Sequence, residues 1–341
     1  MSESLDPVAA LREIAYRMER VLAEPYRVKA FRAAADVVAS LTPDEFEARA
    51  TAGTWKELSG LGETTATVVA QAVAGRVPDR LAKLRGEASP LATGGRELLK
   101  QLRGDLHTHT EASDCSATIE ASRAAATALG HEYLAITDHS PRLTVANGLS
   151  AERLQHQLDR LKELNGDEGC RLLSGIEVDI LIDGGLDQTP AMLKQLDVFV
   201  ASVHSELRMA SEPMTHRMVR AIANPNTNVL GHCTGRLITG GRGTRPQSTF
   251  DAEVVFAACQ QFEVAVEINS RPERADPPDD LLALAIDAGC LFAIDSDAHA
   301  PGQLEFPAHG AARAVAAGVP VERIVNTWPV EELLSWSRAR R

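Results

Sequence analysis

The feature of this 341-residue chain that most limits its fold is a series of seven short β-rich runs that alternate with helical stretches. The runs are GDLHTHT, EYLAITDH, RLLSGIEV, DVFVASVH, TNVLGHC, FEVAVEIN and CLFAIDSDAH. The stretches between them that have a helical pattern include residues 119–129, 151–164, 214–223, 251–261 and 280–288. Strands that alternate with helices form parallel sheets, and the nearly continuous apolar character of several runs indicates that both sheet faces are covered. The pattern therefore predicts an α/β fold, most simply a closed or nearly closed barrel.

Six of the seven runs carry a histidine or a carboxylate at or next to their C-terminal end. These residues are His107, His109, His139, Glu177, His204, His232, Asp297 and His299, and Asp114 follows the first pair closely. In parallel α/β barrels the carboxyl ends of the strands form the rim where active sites lie. A single histidine in such a place is usually a hydrogen-bonded core residue, but the convergence of the whole set argues against that interpretation.

This set of residues has the chemistry of a transition-metal site. Imidazole mixed with carboxylate suits zinc, manganese or iron, whereas magnesium and calcium prefer oxygen ligands. The ligands are too numerous for one ion, so we predict two or three divalent metals, with Glu177 able to bridge two of them. Glu267 and Asn269 are predicted to lie inside the barrel as hydrogen-bond partners of the ligands. Four histidines without a partner in the pattern are predicted to be surface residues, namely His131, His156, His216 and His309.

Residues 1–86 have a different pattern, with apolar residues at helical spacing and breaks at Pro25, Pro43 and Gly53. The composition then changes to Pro, Ser and paired Gly, which is typical of a linker. We predict a small all-α domain at 1–86, a linker at 87–100 and the barrel domain at 101–341.

Charge and cysteine content limit the partners and the compartment. The net charge is −12, yet residues 1–85 hold as many basic as acidic residues, so the whole excess lies in the remainder. This argues against nucleic-acid binding by bulk electrostatics and favours a local contact. The chain has no long apolar run and no signal-peptide pattern, and its five cysteines form no pairs. We expect a cytoplasmic protein with no membrane partner, and the sequence leaves its oligomeric state open.

The motifs DLHTHTEASD, LAITDHS, SGIEVDI, SVHS, GHCTGRL, VEINSRPER and IDSDAH follow one another in the order typical of the PHP (polymerase and histidinol phosphatase) family, which residues 103–310 resemble. The resemblance implies a distorted (β/α)7 barrel with three metals. It implies that His107, His109, Glu177 and Asp297 hold the first metal, and that these four are the catalytic residues. It assigns Glu177, His204 and His232 to the second metal and Asp114, His139 and His299 to the third.

The N-terminal segment is similar to the eight-kilodalton domain of bacterial family X DNA polymerases. The stretch WKELSGLGETTATVVAQAVAG resembles a helix-hairpin-helix, in which Gly60 and Gly62 would form the hairpin and present backbone N–H groups to DNA. An ordinary αα-hairpin looks the same, so DNA binding depends on the wider resemblance. Val68 aligns with the Schiff-base lysine of lyase-active members, which disfavours lyase activity. The chain leaves no room for a polymerase palm between the two domains.

The predicted function is a metal-dependent phosphoesterase that acts on DNA 3′ ends, as a 3′-5′ exonuclease or a 3′-phosphatase in DNA repair. Attack on phosphorus by a metal-bound hydroxide in a trinuclear site would need no side-chain nucleophile. Arg236 and Arg271 are candidates for binding phosphate oxygens, and the alternative for each is a structural ion pair at the rim. A small-molecule phosphatase, for histidinol phosphate or a nucleotide, is the alternative function, and a non-catalytic binding module is the third.

Overall fold

The computed structural model describes residues 6–166, 168–241 and 243–341, and it divides the chain into two compact units between Pro90 and Leu91. The segment 87–100, predicted as a linker, contains this boundary and also a short helix, Arg96–Leu99. Each unit has its own hydrophobic core. None of the described helices is both long enough and apolar enough to cross a membrane.

The first unit is all-helical, as predicted. Its helices are α1 (Pro7–Arg20), α2 (Pro25–Ala39), α3 (Pro43–Ala52), α4 (Glu63–Val73) and α5 (Asp79–Gly86). Proline is the first residue of each of the first three helices, where its missing N–H costs no intrahelical hydrogen bond. Thr42 and Glu45 form a reciprocal capping box at the start of α3. The apolar faces meet in a core that includes Leu11, Phe31 and Trp55.

The second unit is a parallel α/β barrel, which confirms the fold prediction. Its strands are β1 (Gly104–Asp105), β2 (Tyr133–Ile136), β3 (Arg171–Asp179), β4 (Val198–Ser202), β5 (Val229–Leu230), β6 (Ala265–Asn269) and β7 (Phe292–Asp295), paired in chain order. Its helices are α6 (Arg96–Leu99), α7 (Ile119–Ala128), α8 (Ala151–Leu164), α9 (Pro190–Leu193), α10 (Ser211–Ile222), α11 (Ala252–Gln261), α12 (Asp279–Asp287), α13 (Pro307–Ala317) and α14 (Val330–Arg338). Beyond the strand ends, Thr108 pairs in parallel with Ala298, so the barrel is nearly closed.

The predicted elements agree with the structure in position but differ in length. β1 and β5 have only two residues each, although the sequence predicts longer strands there. The five predicted helices are present with shifts of up to a few residues, whereas α6, α9, α13 and α14 were not predicted.

The barrel interior is apolar near the beginning of the strands and polar at their ends. Tyr133, Val198 and Val229 belong to one buried cluster that also contains Leu333 and Leu334 of α14. A second cluster lies between the sheet and the surrounding helices. Apolar packing therefore fills the barrel at one end and leaves the carboxyl ends of the strands for polar side chains.

Candidate metal centre

The strand ends bring the predicted ligands together. His107 and His109 follow β1, His139 follows β2, Glu177 lies near the end of β3, and His204, His232, Asp297 and His299 follow β4, β5 and β7. All strands run in the same direction, so these segments meet at one end of the barrel. Asp114 comes from the loop between β1 and α7, and its Oδ1 lies 3.5 Å from His139 Nε2 and 3.4 Å from His299 Nε2.

Glu177 is the central residue of the site, and its side chain is 1% exposed. Its Oε1 lies 2.9 Å from His232 Nε2, 3.1 Å from His204 Nε2 and 3.4 Å from His107 Nε2. Its Oε2 lies 2.8 Å from His139 Nδ1. One carboxylate thus touches rings from four strand ends, which is the position expected of a bridging ligand.

The structure contains three overlapping groups of side chains that could each hold a metal ion. They are His107, His109 and Glu177; His139, Glu177 and His204; and His109, Asp114, His139 and His299. Asp297 Oδ1 lies 3.5 Å from His109 Nε2, beside the first group. The family resemblance implies a division that differs from these groups in part: the first group lacks Asp297, the second has His139 in place of His232, and the third adds His109. The assignment of each ligand to one ion stays a prediction.

Unpaired buried atoms provide a test of whether these residues fit a metal. Nε2 of His107 and Nε2 of His109 are buried and have no hydrogen-bond partner among the described residues. Burying such groups unpaired costs free energy, and metal coordination would satisfy them. The nitrogen and oxygen donor set suits a transition metal, so the residues present fit the predicted divalent ions.

The electrostatics of the pocket follow from burial and from Glu177. Although burial opposes protonation, the charge of Glu177 raises the pKa of His139 to about 10. Burial lowers the pKa of His109 to about 3, and the neighbouring His299 and His139 add to this effect. Burial works to raise the pKa of Glu177, but the surrounding histidines, His204 first, hold it well below its ordinary range. Glu177 is therefore a carboxylate, as a metal ligand must be.

Hydrogen bonds hold several ligands in place. His107 Nδ1 lies 2.6 Å from Glu267 Oε1, which directs the Nε2 lone pair of the ring into the pocket. Asn269 Nδ2 donates to Asp297 Oδ2 at 3.1 Å. Glu267 and Asn269 therefore lie inside the barrel, as predicted.

The two predicted phosphate-binding arginines make different contacts in the structure. Arg271 Nη1 donates to the Asp297 carbonyl at 2.9 Å and contacts His299 Nδ1 at 3.0 Å, so Arg271 lies at the edge of the metal centre. Arg236 instead donates through Nε to the Arg274 carbonyl at 3.0 Å and through Nη2 to the Ala275 carbonyl. Arg236 therefore holds the loop after β6, and a phosphate contact for either arginine stays a prediction.

Two buried residues beside the metal centre were missed by sequence reasoning. Arg274 Nε donates to Asp297 Oδ2 at 3.1 Å, and its positive charge helps to lower the pKa of His232 after the larger effect of burial. Asp138 is 1% exposed and accepts hydrogen bonds from the loop that carries Asp114. Both residues could have been identified from their positions in the sequence, because Arg274 is the last residue of the SRPER motif and Asp138 directly precedes His139.

The surface prediction is correct for His156 and His216, which are exposed, and wrong for His131 and His309, which are half-buried. His131 follows α7, and burial lowers its pKa to about 4. His309 lies in α13 with its ring centroid 6.1 Å from that of Phe306. Neither belongs to the metal groups found among the described residues.

In the first unit, Gly60 and Gly62 lie in the turn before α4. Gly60 has a φ of +96°, which favours glycine, and Gly62 is the N-terminal capping residue of α4. Both line a surface cavity of about 350 Å³ together with Tyr26, Arg27 and Arg80. The helical part before this turn is short, Trp55–Glu57, so the helix-hairpin-helix stays a prediction.

Comparison with known proteins identifies similar sequences and similar structures. Residues 105–269 match the family model described as the PHP domain. The chain is 34% identical over 236 residues to DNA polymerase/3′-5′ exonuclease PolX of Bacillus subtilis (strain 168), covering 69% of this chain and 41% of PolX. It thus spans about two fifths of the length of PolX.

A probable phosphatase of Citrobacter koseri is 30% identical over 235 residues, covering 66% of this chain and 90% of that protein. The crystal structure of histidinol phosphate phosphatase from Lactococcus lactis, complexed with zinc, L-histidinol and phosphate, is similar with a TM-score of 0.46 at 18% identity. The match covers 64% of this chain and 94% of that one.

Proposed function

This chain belongs to the PHP family of metal-dependent phosphoesterases, and we propose that its metal centre hydrolyses phosphoester bonds at the 3′ ends of DNA, as a 3′-5′ exonuclease or a 3′-phosphatase. The observation that carries the hydrolytic part is the Glu177 carboxylate, shared by histidines from four strand ends. The DNA part is supported by the likeness to PolX, which is named a 3′-5′ exonuclease, and by the all-helical first unit.

The side chains of the pocket have separable roles in this proposal. When bound, zinc, manganese or iron supplies Lewis acidity and lowers the pKa of a water molecule so that it can act as a nucleophile. Glu177 provides negative charge at the centre, and Glu267 fixes the orientation of His107. Arg271 and Arg274 place positive charge beside Asp297, and this charge would offset the negative charge that phosphoryl oxygens gain during the reaction.

Cys115 is not required as a nucleophile. Its thiol follows Asp114 directly, but burial raises the pKa of this thiol above its ordinary value. Thiolate rather than thiol is the reactive form, so burial disfavours Cys115 as a nucleophile. This agrees with hydrolysis that uses water as the nucleophile.

The cavity at the turn before α4 supports DNA binding by the first unit. Arg27 is exposed beside Gly60 and Gly62, and residues 63–65 line the same cavity at the start of α4, where a helix leaves backbone N–H groups without intrahelical partners. Glu63 would repel phosphate there, but Lys56 Nζ lies 3.3 Å from its Oε2. Contacts of this kind bind the DNA backbone without reading its sequence.

The test is activity of the manganese-loaded full chain on 3′-labelled and 5′-labelled oligonucleotides with either a 3′-hydroxyl or a 3′-phosphate end. A panel of small phosphate monoesters is assayed in parallel. We expect stepwise shortening from the 3′ end or loss of the 3′-phosphate. Unchanged DNA together with rapid hydrolysis of one monoester would overturn the DNA assignment.

The contribution of the first unit is tested with Arg27→Ala, which removes an exposed cation beside the cavity. We expect weaker turnover of oligonucleotides, a smaller dependence on salt, and unchanged hydrolysis of bis-p-nitrophenyl phosphate. Lys29→Ala is the matched control, because residues two apart on a helix do not share a face. Equal effects of the two changes would contradict a specific role for this cavity.

A small-molecule phosphatase is the second candidate, and one observation favours it. The Citrobacter koseri relative is named a probable phosphatase, and the match covers 90% of that protein. The substrate would then be a phosphate monoester such as histidinol phosphate or a nucleotide, and the first unit would have another use. The monoester panel above distinguishes this candidate from the first.

A further inference from the structure

Asp114 differs from the other predicted ligands in how it is supported. Its side chain is 31% exposed, whereas those of His107, His109 and Glu177 are at most 1% exposed. It comes from a loop without regular secondary structure, whereas the others lie in strands or directly after them. A ligand on such a loop needs other contacts to stay in position.

Asp138 provides the first set of contacts. The Thr110 N–H donates to Asp138 Oδ1 at 2.7 Å, and the Thr110 hydroxyl donates to Oδ2 at 2.6 Å. The Ser113 hydroxyl also donates to Asp138 Oδ1. Asp138 therefore contacts the loop at Thr110 and again at Ser113, the residue directly before Asp114.

Helix α8 provides the second set. Gln157 Nε2 donates to Asp138 Oδ2 at 2.5 Å. One turn earlier in the helix, Arg153 donates through Nη2 to the Ala112 carbonyl and through Nη1 to the Asn147 carbonyl at 2.9 Å. Residues four apart in a helix share a face, so one face of α8 holds Asp138 and the loop itself.

Packing makes α8 a firm support for these contacts. Leu154, Leu158 and Leu161 are each at most 3% exposed and belong to the core between the sheet and the helices. The Ser150 hydroxyl caps the helix by accepting from the Arg153 N–H at 3.3 Å. The position of Arg153 and Gln157 is therefore determined by the barrel core rather than by the loop that they hold.

We propose that Arg153 and Gln157 are positioning residues that control the occupancy of the outermost metal group, His109, Asp114, His139 and His299. This inference rests on the metal centre of the proposed function. Neither side chain is among the ligands, and both act by keeping Asp114 within reach of the metal. The two inner groups, built around Glu177, do not depend on this support, so their occupancy should not change.

The first test counts metal. The full chain is reconstituted with zinc, passed through a desalting column and analysed by elemental mass spectrometry, for the unchanged protein, Gln157→Leu, Asp114→Asn and Gln155→Leu. We expect Gln157→Leu and Asp114→Asn to retain less metal than the unchanged protein and to resemble each other. Among the described residues, Gln155 donates to the exposed Asp159 on the same helix rather than to Asp138 or the Asp114 loop, so Gln155→Leu should retain the full content.

The second test separates positioning from general structural damage. For Gln157→Leu, the manganese concentration that gives half-maximal hydrolysis of bis-p-nitrophenyl phosphate should rise about 10- to 100-fold, the usual effect of losing a ligand's support. The rate at saturating manganese should return close to that of the unchanged protein. A low rate that excess manganese does not restore, or an unchanged midpoint and metal content, would overturn the proposal.

Arg153→Lys decides the question if Gln157→Leu does not fold. Lysine keeps the charge but cannot reach several carbonyls with a planar fork, so the same shift in the manganese midpoint is expected and its absence would overturn the proposal. Metal counting needs no substrate. A protein that turns over no phosphoester but loses metal in Gln157→Leu would refute the proposed function and leave this inference intact.

Discussion

At the scale of single residues, the metal centre depends on one carboxylate surrounded by imidazoles. Glu177 is almost completely buried, and the positive charge that the surrounding histidines carry when protonated keeps it ionised. A buried charge is costly unless it is compensated. Bound metals would provide that compensation while leaving the histidines neutral, as coordination requires.

Glu177→Gln should remove most of the activity and part of the metal. The amide keeps the size of the side chain but loses the negative charge that two ions would share, so we expect a fall in kcat/KM of at least about 100-fold. Steady-state hydrolysis of bis-p-nitrophenyl phosphate and metal analysis measure both effects. The control is Glu253→Gln, at an exposed position in α11, and comparable losses in the two variants would refute the central role of Glu177.

Glu267→Gln should weaken metal binding without removing a ligand. Glu267 Oε1 holds His107 Nδ1, and Oε2 accepts from the His232 N–H at 2.5 Å. A neutral amide would hold the His107 ring less firmly and make its Nε2 a weaker electron-pair donor to the metal. We therefore expect zinc affinity to fall about 10- to 100-fold. Competition with a chromogenic chelator measures this affinity, and an affinity equal to that of the unchanged protein would contradict the contact's importance.

At the scale of elements, close approach of neighbouring strands determines where the ligands lie. Gly231 precedes His232 at the end of β5, and a Cβ added there would lie 2.3 Å from Ser202 Oγ and 2.7 Å from Val200 Cγ1 of β4. Only glycine fits this contact without a shift. The spacing of β4 and β5 therefore also sets the distance of His232 from Glu177.

Gly231→Ala should therefore destabilise the barrel and disturb the metal centre. Overpacking of this kind costs about 1–3 kcal/mol of unfolding free energy, and the displaced β5 end should reduce metal content as well. Urea unfolding of the full chain measures the first effect and metal analysis the second. Gly86→Ala, where an added Cβ meets nothing within 4 Å, is the control and should keep both values.

At the scale of the whole molecule, the chain consists of two units with separate cores and different sources of stability. The first unit is held by helix packing around residues such as Leu11 and Trp55. The second has apolar cores and, in addition, a group of buried ionisable side chains with unpaired atoms. Only the second should therefore respond to metal.

Metal removal should lower the Tm of the barrel and leave that of the first unit unchanged. Binding to the native state at 1,000 times its Kd contributes about 4 kcal/mol, which EDTA would remove. Trp328 and Trp336 lie in the second unit and Trp55 in the first. Tryptophan fluorescence of Trp55→Phe therefore follows the melting of the second unit, and that of the double variant Trp328→Phe/Trp336→Phe follows the melting of the first. Each variant is melted with and without EDTA. Equal shifts in both variants would contradict the prediction.

The alternation of strands and helices, the parallel sheet and the set of candidate ligands at the strand ends could all be predicted from the sequence. These follow from local information, because apolar periodicity determines the elements and parallel strands place their carboxyl ends together. The inward position of Glu267 and the all-helical first unit could be predicted for the same reason.

The contacts between individual atoms, in contrast, became known only from the folded structure. It showed that Glu177 touches His107, His204 and His232 at once, that Arg236 holds a loop, and that Arg274 lies beside Asp297. The support of Asp114 by α8 was equally out of reach, because Gln157 lies 43 positions further along the chain. Contacts between distant segments depend on the packing of the whole barrel, and no local pattern encodes them.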